Sequence, residues 1–162
     1  MHSTPLAFGV VLVRFLLQNK VMKKTRASKI YTIGHSNKSF ATFLDTLKRH
    51  KIEVLVDVRS FPQSRFCPHF NLNALQSELP TRTIKYLYRG KNLGGRGVNE
   101  GYDDAIKELA TMAKKGTRVC VMCSEGDYHK CHRLTTLTPS FEERGLEVSH
   151  IEYENETTKR NR

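Results

Sequence analysis

From Lys29 onward, short runs of β-branched residues alternate with longer segments of helical periodicity, and this rhythm restricts the chain to folds assembled from strand–helix–strand units. Strands are expected at KIYTI (29–33), EVLVDV (53–58), IKYLY (84–88), RVCVMC (118–123) and EVSHIEY (147–153). Helices are expected between them at 39–50, 72–79, 102–115 and about 131–144. The first places Phe40, Phe43, Leu44 and Leu47 on one face behind a Ser39 cap, and the second closes at Pro80. The third ends at Gly116, and Pro139 kinks or splits the fourth. The apolar run 53–58 suits a strand buried on both faces. Five strands and four helices in strict alternation predict a single-domain α/β fold: a three-layer sandwich around a mostly parallel five-stranded sheet, joined by right-handed crossovers.

A chain of 162 residues has room for one such core. Its hydrophobic fraction of 38% and charged fraction of 27% exclude collagen-like and wholly disordered classes. The net charge of +11 points first to polyanions, but nine of the eleven charges lie at the ends of the chain, on Arg14, Lys20, Lys23, Lys24, Arg26, Lys29, Lys159, Arg160 and Arg162. Between Ile30 and Glu156, 18 basic residues face 16 acidic ones, so the charge total does not establish a polyanion-coating surface. The expected organisation is an N-terminal extension outside the fold (1–28), an α/β domain (29–154) and a basic C-terminal tail (155–162). The apolar stretch 5–17 is shorter than a membrane span, carries Arg14, and lacks the flanks of a signal peptide. Translation from Met22 would leave the alternating body intact. Four cysteines are too few for a disulfide scaffold, so reduced thiols, a cytoplasmic location and no membrane partner are expected.

Ligands of open parallel sheets bind beyond the carboxyl ends of the strands. The segments leaving those ends hold Arg59, Arg65, Arg89, Lys91, Arg96 and Lys130, with Arg133 just inside the next helix, against Asp57, Glu125 and Asp127. A cationic mouth on a nearly neutral body suits an anionic small molecule, a nucleotide or a nucleic acid.

The ordered series TIGHS (32–36), VDVRSFPQSR (56–65), LGG (93–95), CSEGDYHKCHR (123–133) and VSHI (148–151) resembles the domain-of-unknown-function 488 family over nearly all of residues 30–153. The resemblance implies a cytosolic three-layer α/β domain with these motifs gathered at one site. It implies no particular activity. Ser124 stands where the family pattern has a small apolar residue, Pro139 falls where the family runs a plain helix, and residues 1–28 have no counterpart.

Each motif carries a chemical reading and a plainer one. Gly34 lets backbone approach a ligand, and His35 is a candidate base, acid or ligand; His35 or Ser36 equally suits a helix entry. Asp57 and Arg59 share one face of a strand, which fits a structural ion pair or a positioned base beside a phosphate clamp, and the company of the other motifs favours the site role. Phe61, Ser64, Arg65 and Phe66 form a Pro-bounded loop that could stack on a base and meet a phosphate, or pack down as a lid. Gly94 and Gly95, with Arg96 and Gly97, are a weak phosphate-cradle signal.

The sharpest motif is Cys123-x-Glu125 followed by Cys131-His132-Arg133. Three chemistries compete there: a Cys131 thiolate nucleophile, a metal held by Cys123, Cys131 and His132, or acid–base work by Glu125 and His132 with Arg133 on an oxyanion. The third is preferred, with no metal assigned and the cofactor left open, because a phosphatase-type Cys-x5-Arg loop and a usable Cys-x-x-Cys pair are both absent. Cys120 is expected in the core. The function these readings predict is a small hydrolase or base-processing enzyme acting on a nucleotide or nucleic acid, with Asp57 or Glu125 activating water. The alternatives are a non-catalytic binding module for the same ligands and a thiol or sulfur-transfer enzyme using Cys131.

Overall fold

A computed structural model describes residues 28–154. The proposed extension and tail, apart from Ser28, lie outside the described residues.

Five strands form one sheet: β1 (Lys29–Gly34), β2 (Val54–Asp57), β3 (Lys85–Tyr88), β4 (Val119–Cys123) and β5 (Glu147–Ile151). Their order is β3-β2-β4-β1-β5, and every pairing is parallel. The helices are α1 (Phe40–Arg49), α2 (Leu72–Glu78), α3 (Gly90–Leu93), α4 (Tyr102–Lys114) and α5 (Thr138–Glu142). The short α3 lies in a stretch that reads as loop. Ser39 caps α1 by accepting from the Thr42 amide at 3.2 Å, and Gly116, at φ +95°, follows the end of α4.

Pro139 divides the last helical stretch as its missing N–H requires. A π-turn over Arg133–Leu137 precedes α5, the Thr138 amide reaches back to the Arg133 carbonyl, and Pro139 falls in the first turn of α5, where no donor is needed.

The strand order fixes which face each helix covers. Steps from β1 to β2 and from β2 to β3 run one way along the sheet, and steps from β3 to β4 and from β4 to β5 run back. Right-handed crossovers therefore put α1 and α2 on one face and α4 and α5 on the other. Two apolar clusters match this division. Phe43, Leu44, Leu47, Leu75 and Leu79 pack with Tyr31, Ile33, Leu55, Cys120 and Met122. Ile106, Leu109, Leu137 and Phe141 pack with Ile30, Val56, Val119, Val121 and Cys123. The three layers are thus α, β and α. Cys120 is a core residue, and it faces away from Cys123 as the two-residue strand period demands.

β4 sits mid-sheet between two strands whose chains leave toward the α1/α2 face, whereas its own chain leaves toward the α4/α5 face. That divergence opens a crevice over the carboxyl end of β4. Among the described residues, no helix is long and apolar enough to cross a membrane.

Candidate functional site: a cysteine pocket above β4

The crevice contains a pocket of about 440 Å³, lined by Arg59, Ser60, Phe61, Gly95, Arg96, Cys123, Ser124, Glu125, Lys130, Cys131 and His132. The wall from β1 and β4 is held by backbone bonds that continue past the strands: His35 N–H to the Cys123 carbonyl at 3.0 Å, and Ser36 N–H to the Ser124 carbonyl at 2.9 Å. Gly34 makes this approach possible. A Cβ there would lie 1.8 Å from the Glu125 carbonyl oxygen.

On the α1/α2 side, Asp57 is fully buried and saturated. Its Oδ1 accepts from the Arg59 amide (3.0 Å) and Nε (2.9 Å), and its Oδ2 from Arg59 Nη2 (2.6 Å) and the Tyr86 hydroxyl (2.8 Å). Burial above all, then the Asp57 charge, pushes the Tyr86 hydroxyl upward, so it stays a donor. Arg59 also donates to the Phe70 carbonyl at 2.6 Å and, through Nη1, to His35 Nε2 at 3.1 Å. Because a guanidinium only donates, His35 Nε2 is the acceptor, and Nδ1 carries the proton it gives to the Ser36 carbonyl at 2.7 Å. Burial, reinforced by Arg59, lowers the His35 pKa to about 4. The ring stacks on Phe70 with centroids 4.3 Å apart. The expectation of Asp57 as water-activating base and His35 as a free acid or base is therefore corrected. Every polar atom of both side chains is committed inside a buried network, and neither lines the pocket.

On the α4/α5 side, Cys131 ends the 3-10 turn Tyr128–Lys130 and is 5% exposed. Arg133 Nε donates to its Sγ at 3.3 Å, and His132 Nδ1 lies 3.6 Å from it. His132 Nε2 donates to the Leu93 carbonyl at 3.0 Å, which aims the other ring nitrogen at the sulfur. The Cys131 thiol is held well below its ordinary range, chiefly because the Cys123 thiol donates to it, with His132 and Arg133 adding to the effect against burial. Cys123 is pushed up by the same contact and by burial.

Arg133 is 1% exposed, and its Nη2 donates to the Glu125 carbonyl. It does not line the pocket. The side chain expected to bind an oxyanion is instead covered by the β4 exit loop, with Nη2 on the Glu125 carbonyl and Nε on Cys131 Sγ. Glu125 itself is an exposed wall residue whose Oε1 accepts from the Asp127 amide at 3.0 Å.

The remaining predicted residues are dispersed. Gly95 passes over the imidazole, where a Cβ would meet His132 Nδ1 at 2.8 Å. Gly94 packs on Ser60, and the Arg96 amide is spent on Ser60 Oγ at 3.1 Å. Ser64 and Arg65 line a second hollow of about 400 Å³ with Gln63, Phe66 and Asn71. There Ser64 Oγ accepts the amides of Phe66 and Cys67 and shapes the loop. Ser36, at φ 50°, lines neither pocket. Phe61 and Phe66 are exposed, Phe66 at 91%, so the packed-lid reading of this loop fails. Sequence reasoning missed Ser60 and the Tyr86 and Phe70 contacts. Ser60 adjoins the D-x-R motif, whereas Tyr86 and Phe70 become partners only through strand pairing and loop return.

Cys123 Sγ, Cys131 Sγ and a His132 nitrogen lie within 4.8 Å of one another, so these three residues could also hold a thiophilic cation.

No curated protein matches the chain. Residues 39–102, which carry Asp57, Arg59 and the Gly94–Gly95 turn, match the family described as Domain of unknown function DUF488, bearing out the resemblance of the motifs to that family.

Proposed function

We propose that the pocket is a cysteine-dependent active site in which the Cys131 thiolate is the nucleophile toward a small anionic substrate. One observation carries this reading. Arg133 is a buried cation with no carboxylate partner among the described residues, and a buried guanidinium needs a counter-charge. Of its two hydrogen-bond partners among the described residues, Cys131 Sγ and the Glu125 carbonyl, the sulfur is the one that can supply it. Arg96 and Lys130 at the wall favour an anionic substrate over a cationic one. In the reaction, Sγ bonds to an electrophilic atom of the substrate, the leaving group departs with the bonding electrons, and solvent protonates it.

The test is alkylation by iodoacetate between pH 5 and 8, followed by peptide mass mapping, in a Cys67→Ser background that removes the half-buried thiol outside the pocket. Cys131 should react at pH 6, and Arg133→Met should slow that reaction about tenfold or more. A Cys131 that is inert at pH 6, or indifferent to Arg133→Met in a folded protein, sinks the proposal.

A second reading keeps Glu125 as acid or base in a hydrolase acting on a nucleotide. It is favoured by the position of Glu125 in the wall and by exposed Phe61 on the same pocket, available to stack on a base. Once a turnover substrate is found, Glu125→Gln should abolish activity and Cys131→Ser spare it if this reading holds; the thiolate reading requires the reverse.

A further inference from the structure

We infer that Cys123 is the resolving thiol of Cys131, so that the pocket alternates between a dithiol and an internal Cys123–Cys131 disulfide, with a small anionic disulfide as its substrate class. The inference rests on Cys131 being the nucleophile and assigns a role to a residue that reading leaves idle.

Three features carry it. The two sulfurs lie within 4.8 Å of each other and both face the same pocket, so a mixed disulfide on Cys131 forms within reach of Cys123. Closing the bond requires the sulfurs to approach to about 2 Å. The movement can fall on the connecting segment 124–130, which is exposed at every residue but half-buried Tyr128, while Cys123 stays anchored in β4. The third feature is Arg133. Its Nε donates to Cys131 Sγ at 3.3 Å, a contact that a disulfide sulfur accepts less well than a free one, so the dithiol state is the favoured one and the disulfide is readily reopened, as suits a catalytic rather than a structural bridge.

The steps balance. Cys131 thiolate attacks one sulfur of the substrate RSSR, forming a Cys131–SR mixed disulfide and releasing RS⁻. Cys123, losing its proton, then attacks Cys131 Sγ and releases the second RS⁻, which takes up that proton. The substrate gains two electrons and the cysteine pair loses two; two equivalents of a small thiol reverse the change.

The experiment uses the full chain carrying Cys67→Ser, treated with oxidised glutathione as the anionic disulfide and cystamine as the cationic one, quenched with acid and mass-mapped. The parent should accumulate the internal Cys123–Cys131 disulfide, and Cys123→Ser should stop with a glutathionyl group on Cys131. Glutathione should act several-fold faster than cystamine, and the disulfide of Arg133→Met should resist reduction by dithiothreitol more than the parent's. A glutathionyl adduct that persists on Cys131 in both proteins overturns the resolving role while leaving the nucleophile intact. Equal or faster reaction with cystamine overturns the anionic class. Absence of any reaction at Cys131 overturns the inference, and the iodoacetate experiment then decides separately whether the nucleophile falls with it.

Discussion

Arg59 and Arg133 are both buried guanidiniums at the carboxyl rim of the same sheet, one on each face, and they are neutralised in different ways. Arg59 has a fully buried carboxylate, Asp57, fastened by one backbone and two side-chain donors of its own and by Tyr86. Arg133 has a sulfur and a backbone carbonyl. Both Asp57 oxygens are taken up by Arg59 and Tyr86, so that pair is a closed structural unit. A thiol is anionic near neutral pH only where its surroundings make it so. The first arginine therefore sets the architecture of the rim, and the second, under the proposed function, sets the reactivity of a group that faces the pocket.

The largest expected effect comes from opening the closed pair. Asp57→Ala leaves Arg59 buried without a charge partner and should cost about 3–5 kcal/mol of stability in urea denaturation, or prevent folding. Cys131→Ser removes the counter-charge of Arg133, but the pocket admits water, so about 1–3 kcal/mol is expected. Adding Arg133→Met to Cys131→Ser should recover part of that loss, because no buried cation then remains. Equal costs for the two single changes, with no recovery in the double variant, would erase the distinction between the arginines.

Next in size is a pH effect on the closed side alone. The His35 pKa is lowered from 6.5 to about 4 in the folded state, so between those values the unfolded chain binds more protons than the native one. Stability contributed by neutral His35 is fully present above about pH 6.5 and is lost as pH falls toward 4, by about 3 kcal/mol. Thermal or urea midpoints across pH 7 to 4 should show this slope, and His35→Gln should flatten it. An unchanged slope in the variant would assign it to His50 and His150, whose values are also lowered, in both cases by burial first.

The smallest effect calibrates both arginines against an open one. Arg89 meets Glu108 at 2.9 Å, with both side chains partly exposed. Glu108→Gln should change stability by less than about 1 kcal/mol, measured in the same denaturation series, because solvent screens the pair. A loss matching that of Asp57→Ala would show that burial is not what separates these contacts.

The fold was legible because each element carries its own signal. The 3.6-residue spacing of Phe43, Leu44 and Leu47, the Ser39 cap and the apolar runs of β2 and β4 need no distant partner to be read. The site was legible as a neighbourhood and less so in its roles. Cys123, Glu125, Cys131 and His132 do meet at one pocket, with Arg59 and Gly95. Asp57 and Arg133, in contrast, read as reacting or ligand-binding groups, because a charged residue at a strand end exposes no information about which chain returns to cover it.

Local sequence chemistry thus determined the strands, the helices, the break at Pro139 and the rim of loops where chemistry collects, since these follow from periodicity, capping and backbone donors within a few residues. Only the tertiary structure decided which rim charges face the pocket. That depends on long-range events: Tyr86 on the neighbouring strand donating to Asp57, the Phe70 carbonyl returning to Arg59, and the Glu125 carbonyl crossing Gly34 to close over Arg133. A guanidinium has the same chemistry in both settings, and burial with its particular partner is what makes Arg59 a fastener and sets Arg133 against a thiol.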